Sequence, residues 1–171
     1  MSDKNGELDQ EIRNHALYRL GGVDEAIRTW AVSHALPMCT DLPGYAKSAT
    51  TAELTAALRC PGVTVGSHSW SHPNLTALDI MEVSTEARRS REWLRSRFGD
   101  RTVDWFAYPY GLNSRQTQIA VADASYRGAL RVSGGWHSVA EVSPFARPRL
   151  NVAAGLTVDN LRGRLQGALL S

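Results

Sequence analysis

Strand-like and helix-like segments alternate along this chain, and alternation of that kind leaves few architectures open. Gly62-Val63-Thr64-Val65-Gly66 reads as a short β-branched strand bounded by glycines. A loop rich in His, Ser and Trp follows and closes at Pro73. Asp79, with Glu82 three residues on, caps a long helix whose apolar face is Ile80, Val83, Ala87, Leu94 and Phe98, with arginines opposite and Gly99 as the stop. Residues 103–108 form the next strand, cut by Pro109 and Gly111. A helix over about 114–124 and a strand around 129–132 continue the series. Residues 149–152 suggest one more short strand, and Thr157 caps a final amphipathic helix. Such a series predicts parallel strands in an α/β layer or barrel.

Upstream the pattern is thinner. Val23, Ala26, Ile27, Trp30, Ala31 and His34 recur at helical spacing, which predicts a helix burying one face against a sheet. The stretch 35–48, with Pro37, Pro43 and Gly44, reads as a short strand running into a loop. Thr50-Thr51-Ala52-Glu53 fits a capping box ahead of Leu54, Ala57 and Leu58. The first twenty residues are polar and without clear period, an arm or a weak helix.

Composition closes off several function classes. A chain of 171 residues that is 43% hydrophobic and 21% charged has the makings of one folded domain rather than a disordered segment. Its net charge of +2 lacks the footprint of a nucleic-acid binder. No apolar run approaches the roughly 20 residues of a membrane-spanning helix. The opening MSDKNGELDQEIRNH has no apolar signal core, so the chain as written starts in the cytoplasm. Cys39 and Cys60 form no CxxC and read as two reduced, partly buried thiols.

Three segments carry candidate chemistry. His68-Ser69-Trp70-Ser71-His72 follows a strand directly, and two imidazoles four apart can face the same way and hold a cation. From spacing alone, two loop histidines sharing solvent or backbone bonds are the simpler reading, since such a pair is common by chance. Tyr108-Pro109-Tyr110-Gly111 ends an aromatic strand in a turn that can aim a backbone N–H into a cleft, or can simply be a strand meeting a turn. Gly134-Gly135-Trp136-His137 makes either a cleft wall or a flexible turn.

Taken together, GVTVGSHSWSHPNLTAL and WFAYPYG, separated by one long helix, resemble the polysaccharide deacetylases, the carbohydrate esterases of the NodB homology type. His68-Ser69-Trp70-Ser71-His72 matches that family's H-[ST]-x-x-H, and Ala107-Tyr108-Pro109-Tyr110-Gly111 matches its A-Y-P-Y-G turn. The resemblance is strong from about residue 62 to 128 and weaker through 147–152. It implies a distorted, incomplete (β/α) barrel and removal of N- or O-acetyl groups from an acetylated oligo- or polysaccharide. It also implies a divalent metal ion, zinc first with cobalt, nickel or manganese as alternatives, held by His68 and His72. Tyr110 then supplies an oxyanion N–H, and His137 stands as the late acid. Trp70, Tyr108, Pro109 and Trp136 are the expected substrate contacts.

One family motif has no counterpart. The first-strand T-F-D-D-G should supply a metal-binding Asp and a general base, yet no Asp-Asp pair exists here, and Ala16-Leu17-Tyr18-Arg19-Leu20 occupies the corresponding place. Asp9, Asp24 and Asp41 are substitutes on paper. The expected organisation is therefore an arm over 1–20 and an N-terminally truncated deacetylase-like domain over 21–171. Either the chain is cut short, which would leave export open, or it is a diverged relative that no longer catalyses and binds carbohydrate through its aromatic residues. An unpaired sheet edge would in either case invite self-association.

Overall fold

The computed structural model describes residues 10–36, 44, 47–132, 143–149 and 155–165. Four strands form one parallel sheet in chain order: β1 (Val65–Ser67), β2 (Thr102–Ala107), β3 (Gly128–Arg131) and β4 (Arg147–Pro148). Parallel neighbours require a crossover. Helix α4 (Ile80–Phe98) supplies it between β1 and β2, and α5 (Arg115–Asp123) between β2 and β3. The expected α/β class with parallel strands is what forms. Its consequence for function is that β1, β2 and β3 all deliver their C-terminal ends to one edge of the sheet, where α/β folds build sites.

Local chemistry explains the crossover helices. Asp79 Oδ1 accepts the Glu82 N–H at 2.8 Å, while Glu82 Oε2 accepts the Asp79 N–H at 2.9 Å, a closed capping box at the start of α4. Gly99, at φ +49°, ends it. The buried face is Val83, Ala87, Ser90 and Leu94, so Ser90 replaces the expected Ile80, which is exposed. A hydroxyl is tolerated there because Ser90 Oγ and Ser67 Oγ lie 2.7 Å apart in a buried hydrogen bond. Ser114 caps α5 in the same reciprocal way with Thr117. The core between these helices and the sheet holds Leu75, Val83, Phe106, Tyr108, Val121 and Tyr126. Phe106 meets the rings of Tyr108 and Tyr126 edge-on at 5.4 and 5.2 Å.

Elsewhere the expectations need correction. β1 begins at Val65 rather than Gly62, because Gly62 sits at φ +80° and Val63 N–H turns back to Cys60 O at 3.3 Å. Helix α1 (Gln10–Asn14) runs into a π-helical turn (His15–Arg19), so part of the expected arm is helical. The next helix, α2 (Asp24–Ser33), buries only Ala31. Among the described residues its face does not pack broadly on a strand as expected. Trp30 instead stacks between His15 and His34, with ring centroids 4.6 and 4.5 Å away. Helix α3 (Thr51–Ala57) has its capping box from Thr50 and Glu53. Among the described residues the last strand is Arg147–Pro148, paired with Leu130 and Arg131 of β3, while 150–152 of the expected 149–152 strand lie outside the described residues. Helix α6 (Val158–Leu165) starts where Thr157 Oγ1 accepts the Asn160 N–H. Cys60 is exposed rather than partly buried, and Cys39 lies outside the described residues, as does most of the 35–48 segment.

Candidate functional site

The loop leaving β1 has an unusual backbone. Ser69 and His72 both take positive φ, 69° and 60°, a region that non-glycine residues enter at a cost. Hydrogen bonds hold it there. Ser69 Oγ accepts the His72 N–H at 2.9 Å. Glu86, half-buried on α4, accepts the Trp70 and Ser71 N–H groups on Oε2, both at 2.9 Å, and the Ser71 hydroxyl on Oε1 at 2.7 Å. Beyond the loop, buried Asn74 donates its backbone N–H to Gly21 O at 2.7 Å and its side-chain amide to Leu17 O at 3.2 Å. The segment ahead of α2 is thus tied to the far end of the histidine loop.

This loop turns the two imidazoles toward each other. His68 Nε2 and His72 Nε2 lie 3.2 Å apart. His68 Nδ1 lies 2.7 Å from Ala107 O, the last residue of β2. A carbonyl oxygen only accepts, so Nδ1 carries the proton and the Nε2 lone pair faces His72. The His72 ring meets Tyr110 edge-on at 4.8 Å. Burial, and then the neighbouring His68, push the His72 pKa down, which favours the neutral, ligating form. Two nitrogens 3.2 Å apart also suit a shared cation, because ligands about 2.0–2.1 Å from a tetrahedral centre stand about that far from each other. The pair fits as two ligands of a centre. Among the described residues no group of three or more His, Cys, Asp or Glu side chains could hold a metal.

The Pro-Tyr-Gly turn forms the opposite wall. Gly111 N–H bonds to Tyr108 O and Leu112 N–H to Pro109 O, a pattern that passes over the Tyr110 N–H. Tyr110 sits at φ 57° with its ring exposed. Two glycines make room for this. A Cβ on Gly111, at φ +71°, would fall 2.5 Å from Val132 N, and one on Gly22 would fall 2.9 Å from the Tyr110 hydroxyl. Tyr108 is fully buried and donates its hydroxyl to Phe145 O at 2.9 Å. It and the buried Pro109 therefore support the turn from behind instead of touching a substrate, which corrects the expectation for both.

Two hollows flank these groups. One, of about 320 Å³, runs from His68 and Trp70 to Ser90 and Trp93. Trp70 is partly exposed there, with the Arg89 guanidinium 4.0 Å from its ring centre. The other, of about 460 Å³, lies against Tyr110 and Gly22 and is floored by Leu17 and Ile27, with Arg13 and Asn14 on its rim. Both volumes fall in the range of small-molecule sites.

Of the residues picked out from sequence, His68, His72 and Tyr110 come together, and Trp70 lines the adjoining hollow. Trp136 and His137 lie outside the described residues, as do Asp9 and Asp41. Asp24 is engaged by Arg28 at 2.7 Å on the exposed side of α2. The place of the missing acidic strand, 16–20, is taken largely by the π-helical turn. Glu86 was not foreseen. Its partners stand 15 and 16 residues away, beyond the reach of any local pattern.

Comparison with known proteins bears on the family and the fold. The family model described as polysaccharide deacetylase matches residues 26–129. Among solved structures, the chain is similar to a Streptococcus pyogenes deacetylase, PplD, in complex with acetate, with a TM-score of 0.62 and 21% identity. The match covers 71% of this chain and 52% of that one, so the chain spans about half the length of its structural neighbour. At that identity the likeness speaks for the fold. A search of curated proteins gave no match.

Proposed function

The chain belongs to the polysaccharide deacetylase family, and from that premise we propose that it is a metal-dependent hydrolase removing acetyl groups from an N- or O-acetylated carbohydrate. The observation that carries this reading is the facing pair His68 and His72, with Nε2 atoms 3.2 Å apart beside Tyr110. These two residues would hold the cation, zinc by preference for its affinity for imidazole, with cobalt, nickel or manganese as alternatives. When bound, it supplies Lewis acidity, lowering the pKa of water and polarising the acetyl carbonyl.

The chain's own groups do the rest. Ala107 O keeps the His68 proton on Nδ1, so Nε2 stays free to ligate. The Tyr110 N–H, passed over by the bonds of its turn, is offered to the oxygen on which negative charge develops. The hollow beside Tyr110 gives a sugar ring room, with Arg13 and Asn14 as hydrogen-bonding partners for hydroxyls. Trp70 offers a partly exposed ring on the other side of His68. Trp136 and His137 keep their proposed roles as substrate contact and late acid. In this reading residues 21–171 are the deacetylase-like unit, and its four strands are part of the family's incomplete barrel. It also keeps self-association through β1, which among the described residues pairs with β2 alone. No described helix is long and apolar enough to cross a membrane.

A second reading is favoured by one specific observation. Among the described residues no third His, Cys, Asp or Glu side chain joins the two imidazoles to hold a metal, and the sequence lacks the Asp-Asp pair that the family resemblance would make ligand and base. Loss of a general base alone costs about 10²–10⁴ in rate, and the domain would then bind acetylated carbohydrate without turnover. Incubation of the chain with chitooligosaccharide and excess zinc separates the two. Acetate release that disappears in His68→Ala establishes the hydrolase. Saturable binding by titration with no acetate released establishes the binding module and refutes the hydrolase.

A further inference from the structure

We infer that Glu86 is the positioning residue that sets the distance between His68 and His72. The inference rests on the proposed role of that pair. The loop has only three residues between its histidines, and two of them give their backbone N–H groups, one of them its hydroxyl as well, to one carboxylate. Oε2 takes the N–H groups of Trp70 and Ser71, and Oε1 takes the Ser71 hydroxyl. The third, Ser69, closes the loop internally on the His72 N–H.

The geometry makes this consequential. His72 N–H belongs to a residue at φ 60°, and Ser69 is at φ 69°, so the loop is bent twice against backbone preference within four residues. Ser69 Oγ bridges the bend but connects the loop only to itself. Glu86 connects it to α4, a helix of 19 residues packed on β1 and β2 through Val83, Ala87 and Leu94. His68 has its own anchor in Ala107 O on β2. One imidazole is thereby referenced to the sheet and the other, through the loop, to the helix. Glu86 is what converts the fixed spacing of helix and sheet into a fixed spacing of the two Nε2 atoms. Outer partners that orient ligands in this manner are commonly worth about 10- to 100-fold in metal affinity.

Conservative and truncating variants read this out differently. In Glu86→Gln the side-chain oxygen still accepts both N–H groups and the amide can donate to Ser71 Oγ. In Glu86→Ala every one of these bonds is lost. The account expects the Trp70 and Ser71 amides, followed by NMR hydrogen exchange in the metal-free chain, to exchange on the order of tenfold or more faster in Glu86→Ala, with Glu86→Gln close to the parent. It expects zinc affinity by calorimetry to fall about 10- to 100-fold in Glu86→Ala at unchanged stoichiometry, with recovery in Glu86→Gln. Equal exchange at both amides, or zinc affinity that follows overall urea stability instead of loop exchange, would overturn the inference. A parent chain that takes up no zinc refutes the proposed function, while the amide exchange still decides whether Glu86 holds the loop. Ser71→Ala, which removes only the Oε1 bond, gives a milder change of the same sign should Glu86→Ala fail to fold.

Discussion

The environment of single residues already dictates how the site responds to protons. His72 is held below its ordinary value near 6.5 by burial and by His68, so the fold disfavours its charged form. A group depressed in this direction contributes stability that is fully present above the unfolded value and is lost as the pH falls below it. Urea unfolding midpoints are therefore expected to drop between pH 7 and 5, and His72→Gln should flatten that slope. An unchanged slope in the variant would mean His72 titrates as it does in the unfolded chain. The residues also show where sequence was readable. His68, His72 and Tyr110 stood out because strand-then-motif order is local information. Their convergence was not local, since it needs β1 and β2 to end side by side and two non-glycine residues to accept positive φ. Tyr108 misled for the same reason. An aromatic beside a turn looks like a contact for sugar until its hydroxyl is found bonded to Phe145 O in the core.

Elements joined by charge are the next level of organisation. Asp104 on β2 accepts from Arg91 Nε at 3.2 Å and Arg95 Nε at 3.1 Å, and Arg95 Nη2 completes a forked pair, which ties α4 to the strand it covers. Burial works to raise the Asp104 pKa, but the Arg95 hydrogen bond and the charge of Arg91 outweigh it, and the carboxyl ends below its usual range. The stability it brings is present above its unfolded value near 3.8 and vanishes as the pH falls through its folded one. Asp104→Asn is expected to cost about 1 kcal/mol at pH 7, with the deficit closing in acid, as measured by urea unfolding at both pH values. A deficit that stayed constant with pH would assign the loss to packing. Helix starts were legible from sequence because capping boxes are written within four residues, as at Thr50 and Asp79. Strand ends were less so. β1 starts only at Val65, after a turn over 60–63 that includes Gly62, and its ladder jumps from Val65 opposite Thr102 to Ser67 opposite Phe106, a bulge that hydrophobic alternation does not announce.

Across the whole molecule, a parallel sheet sends the strand ends to one edge and α4 fixes the loop that rises from it. The family match over 26–129 spans this arrangement, from within α2 to β3. Ahead of it, the π-helical turn stands where the family resemblance would put an acidic strand, and Leu17 of that turn, with Gly21 and Gly22 just after it, reaches the site. The chain thus presents two facing imidazoles, a turn N–H left outside its turn's own hydrogen bonds and flanking hollows, and the proposed function requires that the imidazoles take up a cation. Calorimetric titration of zinc into the chain at neutral pH tests this most directly, run beside the double variant His68→Ala, His72→Ala. One zinc bound per parent chain and none by the variant is the predicted result. Uptake that is undiminished in the variant would contradict the account at its centre.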